Sequence, residues 1–162
     1  MAYSLARIGM EAEAEVLGTR AEVSEAAFIA EGGLPEADTR KDFFVERNGL
    51  RFAGTHLILD LWDAERLDDL AHIERTLRQC VAAARATLLH IHLHAFTPNG
   101  GVSGVAVLAE SHISVHTWPE RGYAAFDVFM CGAADPHATI PVLKQAFRPG
   151  RLTVTEQLRG IF

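Results

Sequence analysis

GVSGVAVLAESHISVHTWPERGYAAFDVFMCG, residues 101–132, decides the fold. "GVSGVAVLAE" reads as a strand. In "HISVHTW", Ile113 and Val115 alternate with polar residues, as on a half-buried strand. "PERG" turns the chain into a third strand, "YAAFDVFMCG". Turns this short join antiparallel neighbours, because parallel strands need a long crossover. Working outward, "TLLHIHLHAFT" alternates strictly and "PNGG" is a turn. "FAGTHLILDLW" is a strand, and "RLTVTEQL" closes the chain as another. Two segments carry helical periodicity. In "DAERLDDLAHIERTLRQCVAAARA", Leu70, Ile73, Leu77, Val81 and Ala84 recur at three- and four-residue steps, with Asp63 as the expected N-cap. "DPHATIPVLKQAF" is the second, with Pro141 marking its start.

The order is β-α-β-β-β-β-α-β, an α+β two-layer sandwich with a mainly antiparallel six-stranded sheet. Two helices cover one sheet face. Leu70, Ile73, Leu77, Val142, Leu143 and Phe147 should pack there against Ile91 and Leu93. The other face, with His90, His92, His94 and Phe96, needs a cover. A two-fold related copy supplies one by sheet-on-sheet packing, so a homodimer is expected.

Residues 1–50 differ from the rest. They are rich in Ala and Glu with a weak apolar stripe, and "EGGLPEADTR" reads as a linker. The expectation is an N-terminal extension over 1–50, helical or partly disordered, ahead of a catalytic domain over 51–162. The chain of 162 residues is 49% hydrophobic, enough for one core, and carries a net charge of −6 without a basic run, which excludes a nucleic-acid partner. The N-terminus lacks the sustained apolar core of a signal peptide, and no 18-residue apolar run occurs, so no membrane partner is expected. Two cysteines, Cys80 and Cys131, make no disulfide framework, which suits a cytoplasmic protein.

The chemistry gathers around Glu110-Ser111, where one strand ends and the next begins. No Gly-x-Ser-x-Gly elbow is present. His90, His92 and His94 share a strand face, a zinc-ligand geometry without a carboxylate or cysteine at ligand spacing. A zinc-dependent hydrolase on that face is therefore an alternative, and a polar face packed against a partner is another. A serine at a strand junction has a further option. Its Oγ can attack the carbonyl carbon of its own preceding peptide bond, given strain or a base and a donor for the oxyanion. The ester so formed breaks by β-elimination, and the dehydroalanine left behind hydrolyses to a pyruvoyl group. Strict alternation sets Ser111 and His116 on opposite faces, so the turn must re-aim Ser111.

"GGVSGVAVLAESHISVHTWPERGYAAFDVFMCG", supported by "GTHLILDLW" and "HAFTPNGGVSG", resembles the prokaryotic S-adenosylmethionine decarboxylase proenzymes, which are self-cleaving and pyruvoyl-dependent. The resemblance runs from about Gly54 to Leu158. It implies cleavage between Glu110 and Ser111 into chains 1–110 and 111–162. Ser111 then becomes the pyruvoyl group, which forms a Schiff base with the substrate amine; no pyridoxal phosphate and no metal are implied. Ser103 and His116 match processing positions, His116 as proton acceptor. Cys131 matches the catalytic proton donor, Glu120 a ribose-binding acid, and Phe96 an aromatic that stacks on adenine. On residue type alone, Cys131 is a buried small side chain, Glu120 a turn carboxylate and Phe96 a core aromatic. The resemblance further implies decarboxylation of S-adenosylmethionine to the aminopropyl donor for spermidine synthesis, in a dimer with shared sites. Pyruvoyl-dependent decarboxylation of ornithine or arginine, and a non-catalytic binding module, stand as alternatives.

Overall fold

The computed structural model describes residues 43–162. Residues 1–42, on which most of the expected N-terminal extension falls, lie outside the described residues. A hairpin of β1 (Val45–Arg47) and β2 (Leu50–Phe52) straddles the expected boundary at 50/51. Its turn is Asn48-Gly49, with φ of 54° and 78°. Two successive positive φ values match the twist of a tight hairpin, and Asn-Gly tolerates them best.

The main sheet is built from β3 (Gly54–Trp62), β4 (Leu88–Ala95), β5 (Val102–Leu108), β6 (Ser111–Trp118), β7 (Tyr123–Met130) and β8 (Arg151–Arg159). Helix α1 (Leu70–Ala83) follows β3 and helix α2 (Thr139–Phe147) precedes β8, which bears out the expected order. The spatial order is β4-β5-β6-β7-β3-β8, and each neighbouring pair is antiparallel.

Both helices lie on one face. Ile73, Leu77, Cys80, Leu143 and Phe147 are fully buried against Leu57, Leu59, Leu61, Ile113, Val115, Phe126 and Val128. Leu70, Val142, Ile91 and Leu93 pack at the margin of this core. The expected packing face is therefore the observed one. At Gly104 an added Cβ would run into the His92 carbonyl and Leu93, so β4 and β5 approach closely only because the position has no side chain.

Two local expectations need correction. The N-cap of α1 is Asp69, whose carboxylate accepts the His72 N–H at 2.9 Å. Asp63 instead sits at φ 54° in the preceding loop. That loop is held by tertiary bonds: Ala64 N–H to the Gly122 carbonyl and Glu65 N–H to the Phe147 carbonyl. Those bonds, with Leu67 inserted into the core, outweigh the helical propensity of residues 63–69. Pro141 is the third residue of α2, preceded by a 3-10 turn over Pro136–Ala138. In a first helical turn its missing N–H leaves no bond unmade.

The outer face carries His90, His92 and His94 on β4, Ser103 on β5, and His112, Ser114 and His116 on β6. Trp62, Trp118 and Tyr123 stack across β3, β6 and β7, with centroids 4.4 and 5.2 Å apart. Tyr123 donates to Asp60 at 2.5 Å, and that bond to a carboxylate raises its pKa to about 12.

Candidate active site

The β5–β6 connection is two residues, Ala109 and Glu110, between the paired residues Leu108 and Ser111. Ser111 takes up the reversal with a φ of 147°, a region that L-residues rarely adopt. Such an outlier stores local strain, held by the surrounding bonds. It also takes Ser111 out of the regular alternation of β6. The Ser111 Oγ lies 3.2 Å from His112 Nδ1. The side chain opens onto a cleft of about 380 Å³ lined by Phe43, Phe44, Ala53, Glu110, Phe129 and Cys131, among others.

The peptide ahead of Ser111 is held from two sides. The Glu110 carbonyl accepts the Cys131 N–H at 3.0 Å, across from the end of β7. The Glu110 carboxylate accepts the Thr87 N–H at 2.8 Å and the Thr87 hydroxyl at 3.2 Å, ahead of β4. A carbonyl already on a fixed backbone donor is set up for the charge that develops on it when a nucleophile attacks. A second cleft of about 260 Å³ shares Phe43, Ala109, Glu110 and Cys131 with the first.

Cys131 is half-buried. Burial pushes its thiol pKa up, a backbone hydrogen bond partly offsets this, and the nearby Glu110 charge raises it further. The thiol therefore stays protonated at neutral pH. Cys80 is buried in the core with its pKa pushed to about 12 by burial.

The other site residues stand apart from Ser111 within one chain. Ser103 Oγ and His116 Nδ1 are 2.8 Å apart, paired across β5 and β6. His116 is five residues along β6 from Ser111, about 16 Å at the rise of a strand. Phe96 and Glu120 line a third cleft of about 210 Å³ with Asn99, Gly101, Thr117 and Trp118, beyond the far end of β6. That end is about 23 Å from Ser111 by the same rise. Phe96 is half-exposed and meets His94 edge-on at 4.7 Å, so it is not a core aromatic. His90, His92 and His94 form an exposed row on the sheet-edge strand. Among the described residues no three His, Cys, Asp or Glu side chains group as metal ligands. A further cleft of about 410 Å³ between α1 and α2 is lined by Arg66, His72 and Gln145 among others, and holds none of these site residues.

The family model described as S-adenosylmethionine decarboxylase matches residues 55–160. The chain belongs to the S-adenosylmethionine decarboxylase family. It is 47% identical over 113 residues to an S-adenosylmethionine decarboxylase proenzyme of Thermomicrobium roseum, covering 69% of this chain and 97% of that one. The proenzyme of Methanococcus maripaludis strain C7 is 51% identical over 111 residues, 67% of this chain and 90% of the relative. The crystal structure of the adenosylmethionine decarboxylase from Aquifex aeolicus superposes with a TM-score of 0.61 at 34% identity, over 68% of this chain and 93% of that chain. The resemblance carried by residues 101–132 is thereby borne out, and the zinc hydrolase is not favoured.

S-adenosylmethionine decarboxylases of this type are pyruvoyl-dependent proenzymes. The residues here fit that group: a strained serine at an open cleft, a preceding carbonyl on a fixed N–H, and a protonated thiol lining the same cleft. Three participants were not assigned roles from sequence. His112 sits beside Ser111 in the chain, but alternation alone turns it to the opposite face. Thr87 is 23 positions before Glu110, and no local rule couples the two. The Cys131 N–H carries no side-chain signal at all. The ESH motif pointed to the first; only the ladder registers bring in the others.

Proposed function

We propose that this chain cleaves itself at Glu110-Ser111 and then decarboxylates S-adenosylmethionine. The observation that carries the proposal is the Glu110 carbonyl held 3.0 Å from the Cys131 N–H, next to a serine at φ 147°. Ser111 Oγ adds to that carbonyl carbon, and the Cys131 N–H takes the oxyanion. The amide C–N bond breaks as the nitrogen gains a proton, leaving an ester. Loss of the Ser111 Cα proton then expels Glu110 as a carboxylate; water enters and ammonia leaves. Once formed from Ser111, the pyruvoyl group would supply an electrophilic carbonyl for the substrate amine and an electron sink for decarboxylation. Cys131, protonated and in the same cleft, returns the proton to the substrate carbon.

The Ser103–His116 pair and the Phe96–Glu120 cleft lie too far along β6 to reach Ser111 of their own chain. A two-fold partner laid over the outer face would bring its own copies to the opposite end of the strand. This favours a homodimer with sites shared between protomers, in which His116 is the processing proton acceptor assisted by Ser103, and Phe96 and Glu120 hold adenine and ribose. The product is the aminopropyl donor for spermidine synthesis. Among the described residues no helix is long and apolar enough to cross a membrane. Two free thiols suit the reducing cytoplasm, where we place the protein. The extension expected over residues 1–50 is drawn back to the residues ahead of Phe43, because Phe43 and Phe44 line the Ser111 cleft.

Intact mass and CO₂ release test the reading together. Wild-type protein should give two fragments meeting at Glu110/Ser111 and release CO₂ from S-adenosylmethionine in preference to ornithine or arginine. Ser111→Ala should stay whole and inactive. A split or active Ser111→Ala protein refutes the mechanism.

A further inference from the structure

We propose that Thr87 is a positioning residue for self-cleavage, acting through the side chain of Glu110. The proposal rests on the reading that this bond cleaves itself. Three bonds tie Thr87 to the turn: its N–H and hydroxyl to the two Glu110 carboxylate oxygens, at 2.8 and 3.2 Å, and its carbonyl to the Ala109 N–H, at 3.0 Å. On the other side the Glu110 carbonyl is tied to Cys131. The two turn residues are thus stretched between the start of β4 and the end of β7. A carboxylate accepting two donors from one residue is fixed in both distance and orientation.

The ladder shows how Thr87 comes to be there. The β4–β5 register shifts between Leu88 and His90, leaving Leu89 as an extra, exposed residue. Without that bulge, continuing the register would set Thr87 opposite Glu110. With it, Thr87 falls opposite Ala109, so its donors reach one residue on, to the Glu110 side chain. Bulges that re-aim a residue beside a reacting group are a recurrent use of this irregularity.

The clamp acts on the first step, in which the Ser111 Oγ–C(Glu110) bond forms and the amide C–N bond breaks. That step is an isomerisation and needs no co-reactant. It does need Oγ in line with a carbonyl that the strain at Ser111 would otherwise let turn away. A misplacement of about 1 Å in such a geometry costs up to ~10²-fold in rate.

The experiment follows self-cleavage of newly synthesised full-length chain by intact mass. It compares wild type, Thr87→Val, Thr87→Ser, Glu110→Ala and the Thr87→Val/Glu110→Ala double variant, each with and without hydroxylamine, which cleaves an accumulated ester. Thr87→Val should slow cleavage by roughly 10–100-fold, and Thr87→Ser should restore most of the rate. The double variant should be no slower than Glu110→Ala alone, because Glu110→Ala already removes the hydroxyl bond that Thr87→Val deletes. Hydroxylamine should not rescue Thr87→Val, since the ester is what fails to form. Should Thr87→Val lose the fold, Glu110→Ala carries the test, because truncating that half-buried turn side chain removes no ladder bond. Wild-type cleavage by Glu110→Ala or by folded Thr87→Val overturns the clamp, as do additive effects or hydroxylamine rescue. Failure of the wild-type chain to cleave would instead overturn the proposed function.

Discussion

Cys131 offers the sharpest separation of two events, because the proposed mechanism gives its backbone and its side chain different tasks. The N–H holds the Glu110 carbonyl at 3.0 Å and survives any substitution except proline. The thiol lines the cleft and stays protonated, because burial first and the Glu110 charge second raise its pKa. Cys131→Ala should therefore cleave at close to the wild-type rate, whereas losing an oxyanion donor would cost ~10²–10³-fold. Decarboxylation should fall by ~10²–10⁴, the usual cost of removing one general acid. At ~1.36 kcal/mol per tenfold this is about 2.7–5.5 kcal/mol of barrier. The sign of the pH dependence follows from the raised pKa. A proton donor works while protonated, so wild-type kcat should hold through neutral pH and fall only above the ordinary thiol range. The assay is intact mass to establish full cleavage, then ¹⁴CO₂ release from carboxyl-labelled S-adenosylmethionine across pH. A fully cleaved Cys131→Ala protein within tenfold of wild-type turnover removes the thiol from the mechanism. An uncleaved one shows that the side chain, and not the N–H, serves processing.

Phe147 is fully buried and packs 5.5 Å from Phe126 and 5.3 Å from His72, so Phe147→Ala should cost about 3–5 kcal/mol in chemical denaturation. A loss under about 1 kcal/mol would mean that α2 does not close the core. Phe96→Ala and Glu120→Gln should raise KM for S-adenosylmethionine at least about tenfold while cleavage continues, each having lost one contact worth about 1.4 kcal/mol or more. An unchanged KM would take the 210 Å³ cleft out of substrate binding. Light scattering at micromolar concentration should give twice the chain mass, and mixing Ser111→Ala with Glu120→Gln protomers should bring back a wild-type KM in the site that pairs an intact Ser111 with an intact Glu120; an active monomer refutes the shared site.

Alternation and turn length made most of the fold legible. Ile113 and Val115, Ile91 and Leu93, and the Leu70–Ile73–Leu77 stripe each report a local period, and a period is a property of neighbouring residues. Short turns then forced antiparallel pairing of β4 to β7. The Glu110-Ser111 junction, with Cys131 after the next strand, was legible for the same reason: its parts lie within 22 residues of one another. Tertiary structure decided whatever depends on contacts between distant segments. It moved the α1 cap from Asp63 to Asp69 by bonding the intervening loop to Gly122 and Phe147. It inserted β3 between β7 and β8, and it set Thr87 against Glu110 through a single bulged residue. It also showed that His116, one motif away from Ser111 in sequence, is five strand positions away in space. A strand carries residues of one motif apart at about 3.3 Å each. Closeness in an extended sequence is therefore distance along a sheet, and what stands next to Ser111 is set by the neighbouring strands.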